Sequence, residues 1–182
     1  DAYGLIDQFE RASVDSGVSN RLFVAAEVEY DKASDNPGRW AEKGLFRAFL
    51  EEVLVEHVSG IVESKLSVRD LSRVRIYSHS GGYYVIGNMA AVGGLSNVVK
   101  ELCLLDSLYA DFDQFDDFVL SNLNNFGTTD DTQFRFSSLY TEETYDNNLD
   151  MAARAKGWVN ECNCPEVCDL ANDNSTDLSA AR

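Results

Sequence analysis

Apolar residues along this chain recur in two rhythms. From Arg39 onward Leu45, Phe46, Phe49, Leu50, Val53 and Leu54 return at i, i+3 and i+4. That spacing predicts a helix with one buried face, running to about Val58 with Gly60 after it. Four other runs read as buried strands, because they are short, apolar and rich in β-branched and aromatic residues. They are RLFVAAEVEY (21–30), VRIYSH (74–79), VVKELCLLDS (98–107) and QFRFSSLY (133–140). Helical patterns lie between and around them: LIDQFERA (5–12), a shorter piece near Ile61 to Lys65, YYVIGNMAAV closed by Gly93-Gly94, FDQFDDFVLSNL (112–123), and a run to Ala155 that Thr141 is placed to cap. VDSGVSN and DKASDNPG are turn-forming stretches.

Apolar strands alternating with helices predict an α/β fold, a mostly parallel sheet with helices on both faces. No internal repeat is visible. Beyond Trp158 the periodicity dissolves into a cysteine cluster and an acidic tail. The expected organisation is therefore a core over 1–158 followed by a Cys-rich segment over 159–182.

Composition narrows the function classes. The 182 residues are enough for one domain with a real core, and 45% hydrophobic with 11% aromatic residues is globular composition. No run approaches the roughly 18 uninterrupted apolar residues of a membrane span. A formal net charge of −16 argues against nucleic acid or an anionic membrane as partner, since both need a basic face.

Of the four cysteines, Cys103 sits in an apolar strand and reads as a buried free thiol. Cys162, Cys164 and Cys168 crowd into ECNCPEVCD and are disulfide candidates. Three is an odd number, so one of them is free to bridge to another chain or segment. Zinc is the competing reading, but Cys-x-Cys-x3-Cys departs from the usual paired Cys-x2-Cys, and His57 and His79 are the only histidines. No metal and no cofactor is expected. The clustered cysteines and the Asn174-Ser175-Thr176 sequon point to an oxidising compartment, and hence to a secreted, extracellular or periplasmic protein. The tail DLANDNSTD has the oxygen-rich spacing of calcium loops without the glycine and distal glutamate of an EF-hand, and reads as an acidic tail.

In open α/β sheets ligands meet the carboxyl ends of the strands, here just after Tyr30, Ser80, Asp106 and Tyr140. At the second of these the chain offers Ser78-His79-Ser80-Gly81-Gly82 between a strand and a helix. A serine on such a turn is exposed, and the amides that follow it stand at a helix N-terminus, where they stabilise an oxyanion. The turn requires small residues two before and two after the serine, as Ser78 and Gly82 are. The glycine pair lacks the lysine of a phosphate loop. Asp106 ends the next strand and is the candidate acid, unless it only caps its turn. Asp111 and Asp113 read as the first turn of a helix, and Glu142 and Glu143 are secondary candidates for the acid. Glu27, Tyr30 and Asp31 line the same cleft or form a solvated strand end. His79 points to the opposite side of the strand from its neighbour and packs beside the turn. His57 reads as a solvated helix-end histidine.

VRIYSHSGGYYVIG resembles the nucleophile elbow of the α/β-hydrolase superfamily, where Gly-His-Ser-x-Gly-Gly is common, and around the elbow it is similar to secreted bacterial hydrolase-like proteins. Ser80 matches the nucleophile, His79 the residue before it and Gly81 the amide after it, while Ser78 replaces the first glycine. The resemblance spans roughly residues 5–156. It implies an incomplete three-layer sandwich with about four visible strands, 21–30 as the family's fourth and 74–79, 98–107 and 133–140 as its fifth, sixth and seventh. The earlier strands, the second oxyanion amide, the eighth strand and the catalytic histidine would then lie elsewhere. The abrupt start at DAYGLIDQFERA reads as a processed end or a chosen boundary. The implied function is a serine hydrolase acting on a small-molecule or polymer ester or amide. In it, Asp106 orients a histidine from another segment or chain of the same precursor. The alternative is a non-catalytic binding or assembly subunit that keeps the fold.

Overall fold

The structure, a computed structural model, describes residues 5–16, 20–25, 37–95, 97–110, 112–122 and 134–162. The chain divides into two compact units, 1–30 and 31–182. The first contains helix α1, Leu5–Ser16, and within this unit the ring of Phe9 stacks on Phe23 with centroids 5.2 Å apart. Residues 21–25 form no strand, which corrects the expectation for that part of 21–30. A β-branched run becomes a strand only where a neighbouring backbone completes its ladder, and no described strand does so here. Residues 26–30 of that run lie outside the described residues.

The second unit holds a three-stranded sheet: β1, Val74–His79; β2, Val99–Leu105; β3, Arg135–Leu139. The order is β1-β2-β3 and both pairings are parallel, so the fold is α/β. The sheet has three strands among the described residues rather than about four. Register sets Ile76, Leu102 and Phe136 side by side, and Tyr77, Cys103 and Ser137 side by side on the other face.

Each parallel step needs a crossover. Helix α3, Tyr83–Val92, links β1 to β2, and α4, Phe112–Ser121, lies between β2 and β3. Helix α5, Tyr145–Cys162, follows β3. One core cluster joins Ile76, Leu102 and Leu104 of the sheet to Val85, Ile86 and Met89 of α3, Phe115 and Phe118 of α4, and Met151 and Trp158 of α5. The rings of Phe115 and Trp158 both meet Phe136, at 6.1 and 6.0 Å. The opposite face is open at Arg75, Tyr77, His79 and Leu139. Among the described residues the expected double cover is thus present on one face only.

The helix expected over 39–58 is interrupted. A 3-10 turn, Gly38–Ala41, comes first, then α2, Leu45–Glu52, then a π-helical turn, Val53–Val58. The break falls at Gly44, whose φ of +78° lies in the left-handed region that favours glycine. Gly44 N–H donates to Val92 O at 2.8 Å and Arg47 N–H to Gly93 O at 3.1 Å, joining the start of α2 to the end of α3. The piece near Ile61 to Lys65 forms turns, not a helix.

Candidate functional site

β1 ends at His79, and α3 begins at Tyr83. Ser80, Gly81 and Gly82 make a single 3-10 turn between them. Ser80 has φ +53°, an uncommon conformation for a residue with a Cβ. It is exposed at the carboxyl end of the sheet, at the positive end of the α3 dipole. Tight geometry accompanies the strain: a Cβ on Gly82 would stand 3.1 Å from the Ser78 Cβ. The small residues expected at both positions are therefore ones that this turn requires.

Ser107, fully buried just past β2, holds the turn. Its hydroxyl donates to the Ser80 carbonyl at 2.7 Å and lies 2.7 Å from the Ser78 hydroxyl. A hydroxyl has one proton, so Ser78 must be the donor to Ser107. Serine rather than glycine at 78 thus supplies a buried partner for Ser107.

Asp106 stands at the end of β2 with φ +46°, and its N–H donates to Leu139 O at 2.7 Å. Its Oδ1 accepts three hydrogen bonds: from Thr141 N–H at 3.1 Å, Thr141 Oγ1 at 2.8 Å and Thr144 Oγ1 at 2.6 Å. The Thr144 hydrogen bond is the main cause holding the Asp106 carboxyl below its ordinary value; partial burial opposes it, and the Thr141 bonds and the His79 charge assist. Oδ2 accepts no hydrogen bond among the described residues. Thr141, expected as a helix cap, makes no side-chain cap bond and spends its hydroxyl on Asp106.

Tyr109 completes the cluster. Burial, then the charges of Asp106 and Glu143, raise its hydroxyl above the ordinary value. Its ring lies 5.9 Å from that of Tyr83, and Asn147 Nδ2 donates to the carbonyls of Leu108 and Tyr109 at 3.0 and 3.2 Å.

The structure thus brings together Ser78, Ser80, Gly82, Asp106 and Glu143 of the sequence candidates. Gly81 supplies the backbone after Ser80. His79 is exposed on the open face rather than packed, and acts on Asp106 only through charge. His57 is exposed in the π-helical turn. Among the described residues no imidazole hydrogen-bonds Ser80. Asp113 lies in the first turn of α4, ion-paired to Arg154 at 3.0 Å. Glu142 opens the 3-10 turn before α5 and is exposed.

Glu27, Tyr30, Asp31, Asp111, Cys164 and Cys168 lie outside the described residues, as does the side chain of Cys162 at the end of α5. Cys103 is a buried free thiol, pushed up by burial. No described group of three or more His, Cys, Asp or Glu side chains is placed to hold a metal. No described helix is long and apolar enough to cross a membrane. Sequence reasoning missed Ser107, Tyr109 and Thr144. Their only signal is a position just past the end of a strand.

No protein-family model, curated protein or solved structure matches the chain.

Proposed function

We propose that this protein is a serine hydrolase of the α/β-hydrolase type, cleaving an ester or amide in a secreted setting. The observation that carries the reading is the positive φ of Ser80 between the end of β1 and the start of α3. Backbone strain of this kind persists where the surrounding structure over-determines it, and it clusters at active sites. In this reading Ser80 Oγ attacks the substrate carbonyl, and the Gly81 N–H helps hold the oxyanion that forms. Asp106 stays ionised at neutral pH and keeps Oδ2 for the imidazole it orients. That histidine comes from another segment or chain of the same precursor and takes the Ser80 proton, later giving it to the leaving group.

The test is covalent labelling of the complete natural assembly by a fluorophosphonate. Labelling that disappears in Ser80→Ala supports the reading, and an assembly that never labels ends it.

The absence of an imidazole from the described surroundings of Ser80 favours a second reading, a non-catalytic binding or assembly subunit. It predicts that Ser80→Ala leaves the natural assembly's function intact.

A further inference from the structure

A residue just past β2 reaches back to Ser80. Ser107 gives its proton to the Ser80 carbonyl at 2.7 Å and receives that of Ser78. Buried completely, it has no water to exchange for these partners. Ser80, strained at φ +53°, is therefore held at its backbone carbonyl by a residue beyond another strand.

The segment that carries Ser107 is itself fixed. Asn147 of α5 donates to the carbonyls of Leu108 and Tyr109. Leu108 is fully buried, and Tyr109 lies against Tyr83 in the first turn of α3.

We infer that Ser107 is a positioning residue for Ser80, holding the positive φ of its backbone. The inference rests on Ser80 being the nucleophile. Ser107 takes no proton in the reaction. Positioning of this kind acts on the rate of the chemical step more than on the binding of the reagent, because a small displacement of the reacting atom is costly.

Two measurements on the full chain, in its natural assembly, test this. The first is the rate of fluorophosphonate labelling at rising reagent concentration, which separates the limiting rate from the apparent affinity. The second is the 13Cα and 13Cβ shift of Ser80, which reports its φ without any reaction. Ser107→Ala should lower the limiting rate about tenfold and move the Ser80 shifts toward ordinary negative-φ values. Apparent affinity should stay within about twofold. Ser78→Ala, which leaves the bond from Ser107 to the Ser80 carbonyl intact, should leave the Ser80 shifts in place. Unchanged shifts or an unchanged rate in Ser107→Ala would overturn the inference, as would Ser80 shifts that move as far in Ser78→Ala. Should the wild-type assembly fail to label, the hydrolase reading falls, and the Ser80 shifts in Ser107→Ala alone support or overturn the backbone hold.

Discussion

The Cβ of Ser78 and the position a Cβ would take on Gly82 are 3.1 Å apart. Ser78 cannot retreat, because it is buried and bound to Ser107. Gly82 has φ −62°, so alanine suits its backbone and only the contact opposes it. Gly82→Ala is expected to lower stability by about 1–2 kcal/mol through overpacking. Adding Ser78→Gly should return part of that loss, because it removes the atom that is struck. Urea unfolding of the two single variants and the double variant measures this, and additive losses would contradict it.

Strain at Ser80 can be separated from its chemistry. Ser80→Ala and Ser80→Gly both remove the hydroxyl, but only glycine is at ease at φ +53°. Ser80→Gly should therefore be the more stable of the two by about 1 kcal/mol. For a chain of this size that is a difference of about 2–4 °C in Tm. Equal melting temperatures would mean that the turn is not strained in solution.

Asp106 links stability to pH. Its folded-state carboxyl is depressed, first by Thr144, so the folded protein binds this proton less readily than the unfolded chain. The stabilisation is then fully present above the unfolded carboxylate value of about 3.9 and fades as pH falls toward the lower folded value. In Asp106→Asn the deficit relative to wild type should be constant near neutrality and shrink below about pH 4. Midpoints of urea unfolding across pH check this, and a deficit that grows on acidification would contradict it.

Cys103 is buried in the central strand, and burial raises its thiol above the ordinary value. In a chain whose other three cysteines are serine, it should react slowly with a disulfide reagent while folded and fast in denaturant. The native rate should rise in step with any destabilising variant, since exposure of this strand requires opening of the sheet.

Much of the fold is legible in the sequence where local signals and tertiary packing agree. VRIYSH is β1 residue for residue, and α3 ends where Gly93-Gly94 follow it. The same six residues also carry a signal about the sheet's open face. Val74, Ile76 and Ser78 point inward while Arg75, Tyr77 and His79 point out, an alternation that marks one covered face rather than two. The change from α to π at Val53 is less legible, because Leu45 to Leu54 keep one helical face across it. RLFVAAEVEY has strand composition, yet composition does not supply the neighbouring ladder that a strand needs. At the site, Ser80, Gly82 and Asp106 follow from the strand–turn–helix pattern. Ser107 and Thr144 do not, because only the alignment of β1, β2 and β3 brings the Ser107 hydroxyl to Ser80 and the Thr144 hydroxyl to Asp106.

That alignment also sets an order of events. Ser107 reaches the Ser80 carbonyl across 27 residues of chain, and Thr144 reaches Asp106 across 38. The side-chain hydrogen bonds that hold the Ser80 carbonyl and the Asp106 carboxylate both join separate elements, so neither exists until the crossovers have closed. During refolding, helices and collapse should return first, and the geometry around Ser80 only once β1 and β2 have paired. The conformation of Ser80 would then serve as a clock for that pairing.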